Sequence, residues 1–121
     1  MTSATRNDVP VAIEGNGDEL RTMPIGGGMS VGYIHLPQGA DKGPAFKGLT
    51  DDACQCPHWG YLLKGKLRMR TATGSETYEA GQAYYWAPGH VPEALEDCDF
   101  VEFSPTEDFE PVITHVQSQS A

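Results

Sequence analysis

The chain has 121 residues, a length that suits one domain large enough to bury its own core. Its formal net charge of −9 at pH 7 excludes binding through nucleic-acid phosphates or to an anionic membrane surface, since both need a basic protein. No apolar run is long enough to cross a bilayer, and the N-terminal residues lack the apolar core of a secretory signal. Three cysteines are an odd number for a disulfide framework, so we expect a cytoplasmic protein.

The segments along the chain predict one folded domain between two polar ends. Residues 1–20 contain few large apolar side chains and predict an N-terminal arm that is flexible or exchanged as a strand between two copies. Residues 21–105 carry the strand patterns, and residues 106–121 are expected to form a polar, acidic C-terminal tail. The three glycines at 26–28 precede a predicted strand rather than a helix, which argues against a phosphate-binding loop, and we expect no nucleotide cofactor.

Apolar and polar residues alternate in short segments that are separated by glycine, proline and serine. Lys66, Arg68 and Arg70 alternate with Leu67 and Met69, which places the two sets on opposite faces of a strand. The predicted strands cover residues 29–36, 58–63, 66–73, 76–80, 82–87, 91–96 and 99–104. No stretch has the apolar period of an amphipathic helix, so the pattern predicts an all-β antiparallel sandwich or barrel with little or no helix.

The positions of three turn glycines resemble the two sequence motifs of the cupin family. Gly65 stands where the first motif closes, and Gly81 and Gly89 have the spacing of the second motif. The resemblance covers roughly residues 25–105, and the compact segment between the motifs is similar to that of small single-domain members. It implies a cupin-type jelly-roll barrel with a site in its interior.

The residues at the family's metal-ligand positions differ from the usual set of three histidines and one glutamate. The resemblance places Asp52 and Cys54 at the two histidine positions of the first motif and His58 at its glutamate position. Pro92 stands at the histidine position of the second motif. The resemblance therefore implies a divalent metal inside the barrel, held through a degenerate form of the motifs.

The residues around Cys54 carry metal-binding chemistry of their own. Cys54, Cys56 and His58 share parity, so an extended chain points their side chains to one face, and Pro57 favours that conformation at Cys56. Thiolate and imidazole are good zinc ligands, and imidazole also suits iron or nickel.

A metal site needs at least one further ligand. We expect His90, beside the turn at Gly89, or Glu93, if a bulge shifts the register by one residue. Two other interpretations stay open: the cysteines fill space in the core, or one of them is a nucleophile paired with His58. The candidate metal ligands are Cys54, His58, His90, Cys56 and Glu93.

Aromatic residues on the predicted strands suggest a pocket for a small organic molecule. Trp59 and Tyr85 lie on the strands of the two motifs, and Tyr33 shares parity with His35 on the first predicted strand. We predict that these four residues line the pocket, with packing in the core or exposure at the surface as the alternatives.

The sequence supports three possible functions, of which the first two are the main ones. The first is a metal-dependent enzyme for a small molecule, of the dioxygenase, isomerase or cyclase type, as the cupin resemblance implies. The second is a non-catalytic cupin that binds or senses a small ligand without a metal. The third is a dimerising scaffold, and we expect a homodimer in each case because exposed sheet edges need cover.

Overall fold

The computed structural model describes residues 1–119. That part of the chain forms nine strands, one long helix and three short helical turns. The strands are β1 (Val11–Gly15), β2 (Asp18–Gly26), β3 (Met29–Leu36), β4 (His58–Lys64), β5 (Lys66–Thr71), β6 (Gly74–Glu79), β7 (Ala83–Trp86), β8 (Val91–Ala94) and β9 (Cys98–Pro105). The helices are α1 (Gly43–Phe46) and α2 (Thr106–Gln119), and 3-10 turns cover Arg6–Asp8 and Thr50–Asp52.

The strands form two antiparallel sheets that face each other. A six-stranded sheet has the order β1-β2-β3-β9-β4-β7, and a three-stranded sheet has the order β6-β5-β8. The main apolar core lies between them, with Leu62 and Phe100 of the larger sheet packed in one cluster with Leu67 and Met69 of the smaller. The prediction of an all-β antiparallel sandwich is therefore confirmed.

The turn between β4 and β5 shows why glycine is needed at one motif position. Gly65 has a φ of +93°, which favours glycine over any residue with a side chain. A Cβ atom at this position would also collide with the backbone carbonyl of Asp97. The close approach of this turn to the segment before β9 therefore needs the absence of a side chain as well as the positive φ.

Helix α2 occupies residues that were expected to be a polar tail. Phe109, Val112 and Val116 follow each other at helical spacing, and all three are buried. They pack in a second apolar cluster with Phe46 and Cys54. The amino-acid pattern does not predict this helix, because a proline at position 111 and a run of β-branched residues lower the helix propensity of the segment.

The N-terminal residues lie on the outer side of the six-stranded sheet. Strand β1 pairs with β2 of the same chain, and the hydroxyl of Tyr33 donates to the carbonyl of Ala4 over 3.1 Å. The guanidinium of Arg21 donates to the carbonyl of Val9, which is fully buried. Exchange of this arm between two copies, and the domain boundaries at residues 20 and 105, stay predictions. Among residues 1–119, no helix has the length and hydropathy of a bilayer-spanning segment.

Candidate metal centre

Two loops and one strand bring a thiol and two imidazoles together. Cys54 lies just before β4, His58 is the first residue of β4, and His90 lies just before β8. The backbones of Cys54 and His90 form an isolated antiparallel bridge, in which the amide of Cys54 donates to the carbonyl of His90 over 3.0 Å. The Gly89 amide donates to the Cys54 carbonyl over 2.7 Å, so the two loops are held against each other by their main chains.

The three side chains form a compact, buried group, which we call the Cys–His–His cluster. One ligand atom from each residue lies within 4.8 Å of the others. Sγ of Cys54 is 3.6 Å from Nε2 of His58. The exposed fractions are 2% for Cys54, 4% for His58 and 2% for His90, so bulk water does not solvate these groups.

Each imidazole of the cluster is oriented through its other ring nitrogen. Nδ1 of His58 lies 2.9 Å from Oε2 of Glu102 and 2.6 Å from Oγ of Ser104. Nδ1 of His90 donates to the carbonyl of Ala87 over 2.7 Å. These contacts leave Nε2 of each ring available as a metal ligand, and Nε2 of His58 points at the thiol of Cys54. Carboxylates and carbonyls play this orienting role for metal-bound histidines.

Glu102 is the buried charge behind the cluster. It lies on β9, is 4% exposed, and accepts a hydrogen bond from the hydroxyl of Tyr84 over 2.8 Å. Burial alone would raise the pKa of Glu102, but the positive charge of His58 outweighs it and lowers the pKa. Burial and the neighbouring Glu102 raise the pKa of Tyr84 well above its usual range, so Tyr84 remains a hydrogen-bond donor.

Proton sharing between Cys54 and His58 polarises the cluster. Burial alone would raise the pKa of Cys54, but hydrogen bonds and charges from His58 and His90 lower it to about 6. Burial alone would lower the pKa of His58, but the charge of Glu102 and the hydrogen bond with Cys54 raise it to about 10. At neutral pH the metal-free pair is therefore a thiolate beside an imidazolium.

The structure brings three of the five candidate ligands together and leaves two apart. Cys56 is buried, but it is not one of the residues whose ligand atoms converge, and its thiol donates to the carbonyl of Pro57 over 3.4 Å. Burial raises the pKa of Cys56, which keeps it protonated. Glu93 lies on β8 with its carboxylate between Arg68 and Arg70, at 3.5 Å and 3.2 Å.

The four predicted pocket residues lie away from the Cys–His–His cluster. Trp59 and Tyr85 are half exposed on the outer face of the sheet, where their ring centroids lie 5.1 Å apart and the ring planes are tilted by 34°. Tyr33 contacts the N-terminal arm, and Nδ1 of His35 lies 2.8 Å from a carboxylate oxygen of Asp99. The phase of the strands explains this placement, because His58 points inward and its neighbour on the strand must point outward.

A different set of side chains lines the cavity beside the cluster. This cavity has a volume of about 90 Å³, and its lining includes Cys54, His58, His90 and Glu102. The apolar lining includes Leu20, Ile34, Phe46, Trp86, Phe100, Phe109 and Ile113. The ring of Phe109 meets the ring of His58 edge to face, with centroids 5.4 Å apart, so α2 closes the cavity directly over the cluster.

The donor set of the cluster fits a divalent transition metal. Zinc bonds of about 2.3 Å to sulfur and about 2.0–2.1 Å to nitrogen, at a tetrahedral angle, separate the two ligand atoms by about 3.6 Å. The observed distance between Sγ of Cys54 and Nε2 of His58 is 3.6 Å. Three protein ligands leave one position free, as in catalytic zinc sites. The chemistry and the spacing of these residues therefore agree with the metal that the family resemblance implies.

Comparison with known proteins identifies the fold. No protein-family model matches the chain, and no curated protein matches it. An RmlC-like cupin from Shewanella frigidimarina is similar in structure, with a TM-score of 0.62 and 14% identity over 88% of this chain and 93% of that one. The S161A mutant of Bacillus subtilis oxalate decarboxylase has a TM-score of 0.66 and 18% identity over 87% of this chain.

A third similar structure is a formate complex of oxalate decarboxylase from Lactobacillus farciminis, with a TM-score of 0.62 and 18% identity over 82% of this chain. The chain spans only 29% and 31% of the two decarboxylases. At these identities the likeness concerns the fold. The chain thus has the cupin fold, as the spacing of its turn glycines predicted.

The spacing of the second cupin motif explains why the side chain of His90 lies in the Cys–His–His cluster. Pro92, at the family's histidine position, lines the cavity, and His90 lies two residues before it. Positions two apart in an extended chain face the same side, so a histidine at 90 still points inward. Asp52, at the first histidine position, instead accepts a hydrogen bond from the amide of Gly48 over 2.9 Å.

Proposed function

We propose that the protein binds one divalent transition-metal ion through Sγ of Cys54 and Nε2 of His58 and His90, and acts on a small molecule in the adjoining cavity. Zinc is the first choice because one ligand is a thiolate, with iron or nickel as alternatives. The observation that carries this proposal is the orientation of the two imidazoles. Both are tied through Nδ1, Nε2 of His58 lies 3.6 Å from the buried thiol of Cys54, and His90 offers a ring nitrogen within 4.8 Å of both.

Each residue around such a metal site would have its own role. Glu102 and Ser104 keep the proton of His58 on Nδ1 and so keep Nε2 available as a ligand. Tyr84 holds the second carboxylate oxygen of Glu102. The apolar side of α2 excludes water from the cavity. A bound metal would supply Lewis-acid polarisation of a substrate atom at its free coordination position.

This arrangement supports a metal-dependent small-molecule enzyme, in the broad group of dioxygenases, isomerases and cyclases. The same cavity also supports a binding or sensing protein that holds the molecule without converting it, with or without the metal. Metal content separates the first possibility from a metal-free binding module. Turnover of a bound ligand then separates catalysis from sensing.

Elemental analysis of protein purified without chelators tests the metal directly. We expect about one metal ion per chain, and His58→Ala should lower the metal content at least tenfold. His35→Ala is the matched control, because His35 lies on the outer side of the sheet beside Asp99, and its metal content should equal that of the unchanged protein. Protein that stays metal-free after incubation with zinc, iron and nickel salts would contradict the proposal.

A thiol-based chemistry at Cys54 is the second candidate function. The line of contacts from Cys54 through His58 to Glu102 resembles a nucleophile, a base and an orienting carboxylate. All three cysteines are free and buried, which supports our expectation of a reducing, cytoplasmic environment. Stoichiometric covalent labelling of Cys54 by small electrophiles in protein that binds no metal would favour this candidate over the metal centre.

A further inference from the structure

The charges around the cavity indicate which class of molecule it takes. The carboxylates of Asp18 and Glu102 line it, against a single ammonium group, that of Lys42. Glu19 also belongs to the lining, but its carboxylate is paired with Arg6 and Arg21. No arginine among residues 1–119 lines the cavity. Nζ of Lys42 lies 2.8 Å from a carboxylate oxygen of Asp18, so its charge is already matched.

A bound metal ion would not change the balance of positive and negative charges around the cavity. The two positive charges of a divalent ion would be matched by the thiolate of Cys54 and the carboxylate of Glu102, which contacts the ring of His58. An anionic substrate would then enter an apolar cavity that offers no unmatched positive charge, and burying an unpaired carboxylate in such surroundings is costly.

We propose that the ligand of this cavity is a small uncharged molecule with an apolar body and one metal-binding oxygen or sulfur atom, and that carboxylates are rejected. This inference rests on the proposed small-molecule site and names its substrate class. The volume of about 90 Å³ limits the molecule to a few non-hydrogen atoms unless α2 moves. Oxalate and formate, the small molecules named with the similar decarboxylases, are anions and lie outside this class.

Isobutyramide and isobutyrate form a matched pair of probes, because they share a shape and differ in charge. Calorimetry on the zinc-loaded and the metal-free protein should show that isobutyramide binds at least tenfold more tightly than isobutyrate. Binding of isobutyrate as tight as that of isobutyramide would overturn the inference, and so would the absence of binding by both. Binding of the amide to a protein that takes up no metal would support the substrate class while contradicting the metal centre.

Two pairs of variants test whether the charge at Lys42 and the volume of the cavity determine which probe binds. Asp18→Asn leaves Lys42 unmatched and should raise the affinity for isobutyrate at least threefold, whereas Asp41→Asn, whose carboxylate contacts Arg70, should not. Val112→Phe fills the cavity from α2 and should abolish binding of isobutyramide, whereas Thr114→Phe on the exposed side of the helix should not. Equal isobutyrate affinity in both aspartate variants would overturn the role given to charge.

A separate observation concerns the outer face of the six-stranded sheet. Five large apolar side chains on β4, β7 and β9 are between 40% and 54% exposed. We call this surface the aromatic sheet face, and it consists of Trp59, Tyr61, Leu63, Tyr85 and Phe103. It contains no charged residue, although the chain as a whole has a net charge of −9.

The neighbouring part of the same face is covered. Phe103 pairs with Val31 on β3, which lies in the same row of the sheet, but Val31 is only 1% exposed. The N-terminal arm lies over this side, where Ala4 and Val9 accept hydrogen bonds from Tyr33 and Arg21. The arm does not extend to β4 and β7, so the chain covers one half of its apolar sheet face and leaves the other open.

We infer that a second copy of this chain covers the aromatic sheet face. Side chains of this size have areas of about 150–250 Å², so five that are half exposed present roughly 500 Å². A two-fold axis through the face would bury the same patch on both copies, or roughly 1,000 Å², which reaches the lower limit of a specific interface before any rim residues are counted. The homodimer expected from the sequence thus gains a definite surface.

Sedimentation velocity at micromolar concentration tests this interface. The unchanged protein should be a dimer, and Trp59→Arg and Tyr85→Arg should each be monomers with unchanged circular dichroism. Thr77→Arg, at an exposed position of the smaller sheet, is the control and should remain dimeric. A monomeric unchanged protein would overturn the inference, and so would dimers that persist in both variants of the aromatic sheet face.

Discussion

The two faces of the six-stranded sheet reverse the usual distribution of side chains. On the inner face, His58, Glu102 and Ser104 are polar and buried, while on the outer face Trp59 and Phe103 are apolar and exposed. These residues alternate along the same two strands, β4 and β9. A buried ion pair is weak evidence for a contribution to stability, and a cluster of exposed aromatic side chains marks an interaction surface. The proposed metal centre accounts for the buried polar groups of the inner face, and the proposed dimer interface accounts for the exposed apolar groups of the outer face.

The largest expected effect is the loss of the buried carboxylate. Glu102→Ala breaks the buried ion pair between Glu102 and His58, so the free energy of unfolding of the metal-free protein should fall by about 3–5 kcal/mol. Glu110→Ala, at an exposed position of α2, is the control and should change it by less than about 0.5 kcal/mol. Urea denaturation measures both. A loss below about 1 kcal/mol for Glu102→Ala would contradict the role of this charge.

A smaller change at the same residue separates metal affinity from folding. Glu102→Gln keeps the shape of the side chain but weakens the hold on Nδ1 of His58, so zinc affinity should fall about 10- to 100-fold. Competition against a chelator of known affinity measures the change, and Glu110→Gln provides the comparison. Unchanged zinc affinity in Glu102→Gln would show that the carboxylate does not support a metal ligand.

The thiolate–imidazolium pair predicts an unusual pH dependence for the metal-free protein. Because folding raises the pKa of His58 from 6.5 to about 10, its contribution to stability is complete below pH 6.5 and is lost as the pH rises towards 10. Because folding lowers the pKa of Cys54 from 9.0 to about 6, its contribution is complete above pH 9 and is lost as the pH falls towards 6. Between pH 6.5 and 9 the two slopes cancel.

Cys54→Ser removes one of these slopes. In that variant the stability should fall as the pH rises above 6.5, by up to about 1.4 kcal/mol per pH unit, because only the proton on His58 remains linked to folding. Cys56→Ser should keep the flat profile, since burial raises the pKa of Cys56 and leaves this thiol protonated in both states below pH 9. Urea denaturation across this range, with a chelator present, measures the slopes. A flat profile in Cys54→Ser would refute the proton sharing.

The smallest expected effect on stability is that of a substitution on the aromatic sheet face. Tyr61→Thr replaces one residue of high strand propensity by another at an exposed strand position, so the stability of a monomeric background such as Trp59→Arg should change by less than about 0.5 kcal/mol. Thermal unfolding of the double variant against Trp59→Arg measures this. A loss several times larger would mean that Tyr61 packs within its own chain rather than serving a contact surface.

Much of the fold could be predicted from the sequence, because the alternation of apolar and polar residues and the positions of turn residues indicate strands directly. All seven strands predicted from residue 29 onwards are present in the two sheets. Helix α2 was missed because Pro111 and its β-branched neighbours resemble a strand or tail more than a helix, and only packing against the cavity stabilises it. Strands β1 and β2 carry too few large apolar residues to show their alternation clearly.

The site was predictable only where a motif supplied the register. Cys54 and His58 followed from the cupin spacing, and His90 from its place beside the turn at Gly89. The phase of the aromatic residues was the main difficulty, since Trp86 rather than Trp59 lies on the cavity side with His58. Glu102 had one sequence signal, a carboxylate two residues after Phe100 and therefore on the same face of an apolar strand.

A cobalt titration of the metal-free protein tests the metal centre most directly, with Cys54→Ser and Cys56→Ser measured alongside. Both cysteines are buried, but only the thiol of Cys54 belongs to the Cys–His–His cluster. The unchanged protein and Cys56→Ser should each develop a thiolate-to-cobalt charge-transfer band that saturates at one cobalt per chain, and Cys54→Ser should not. The absence of this band from the unchanged protein, or its persistence in Cys54→Ser, would contradict a metal centre built on Cys54.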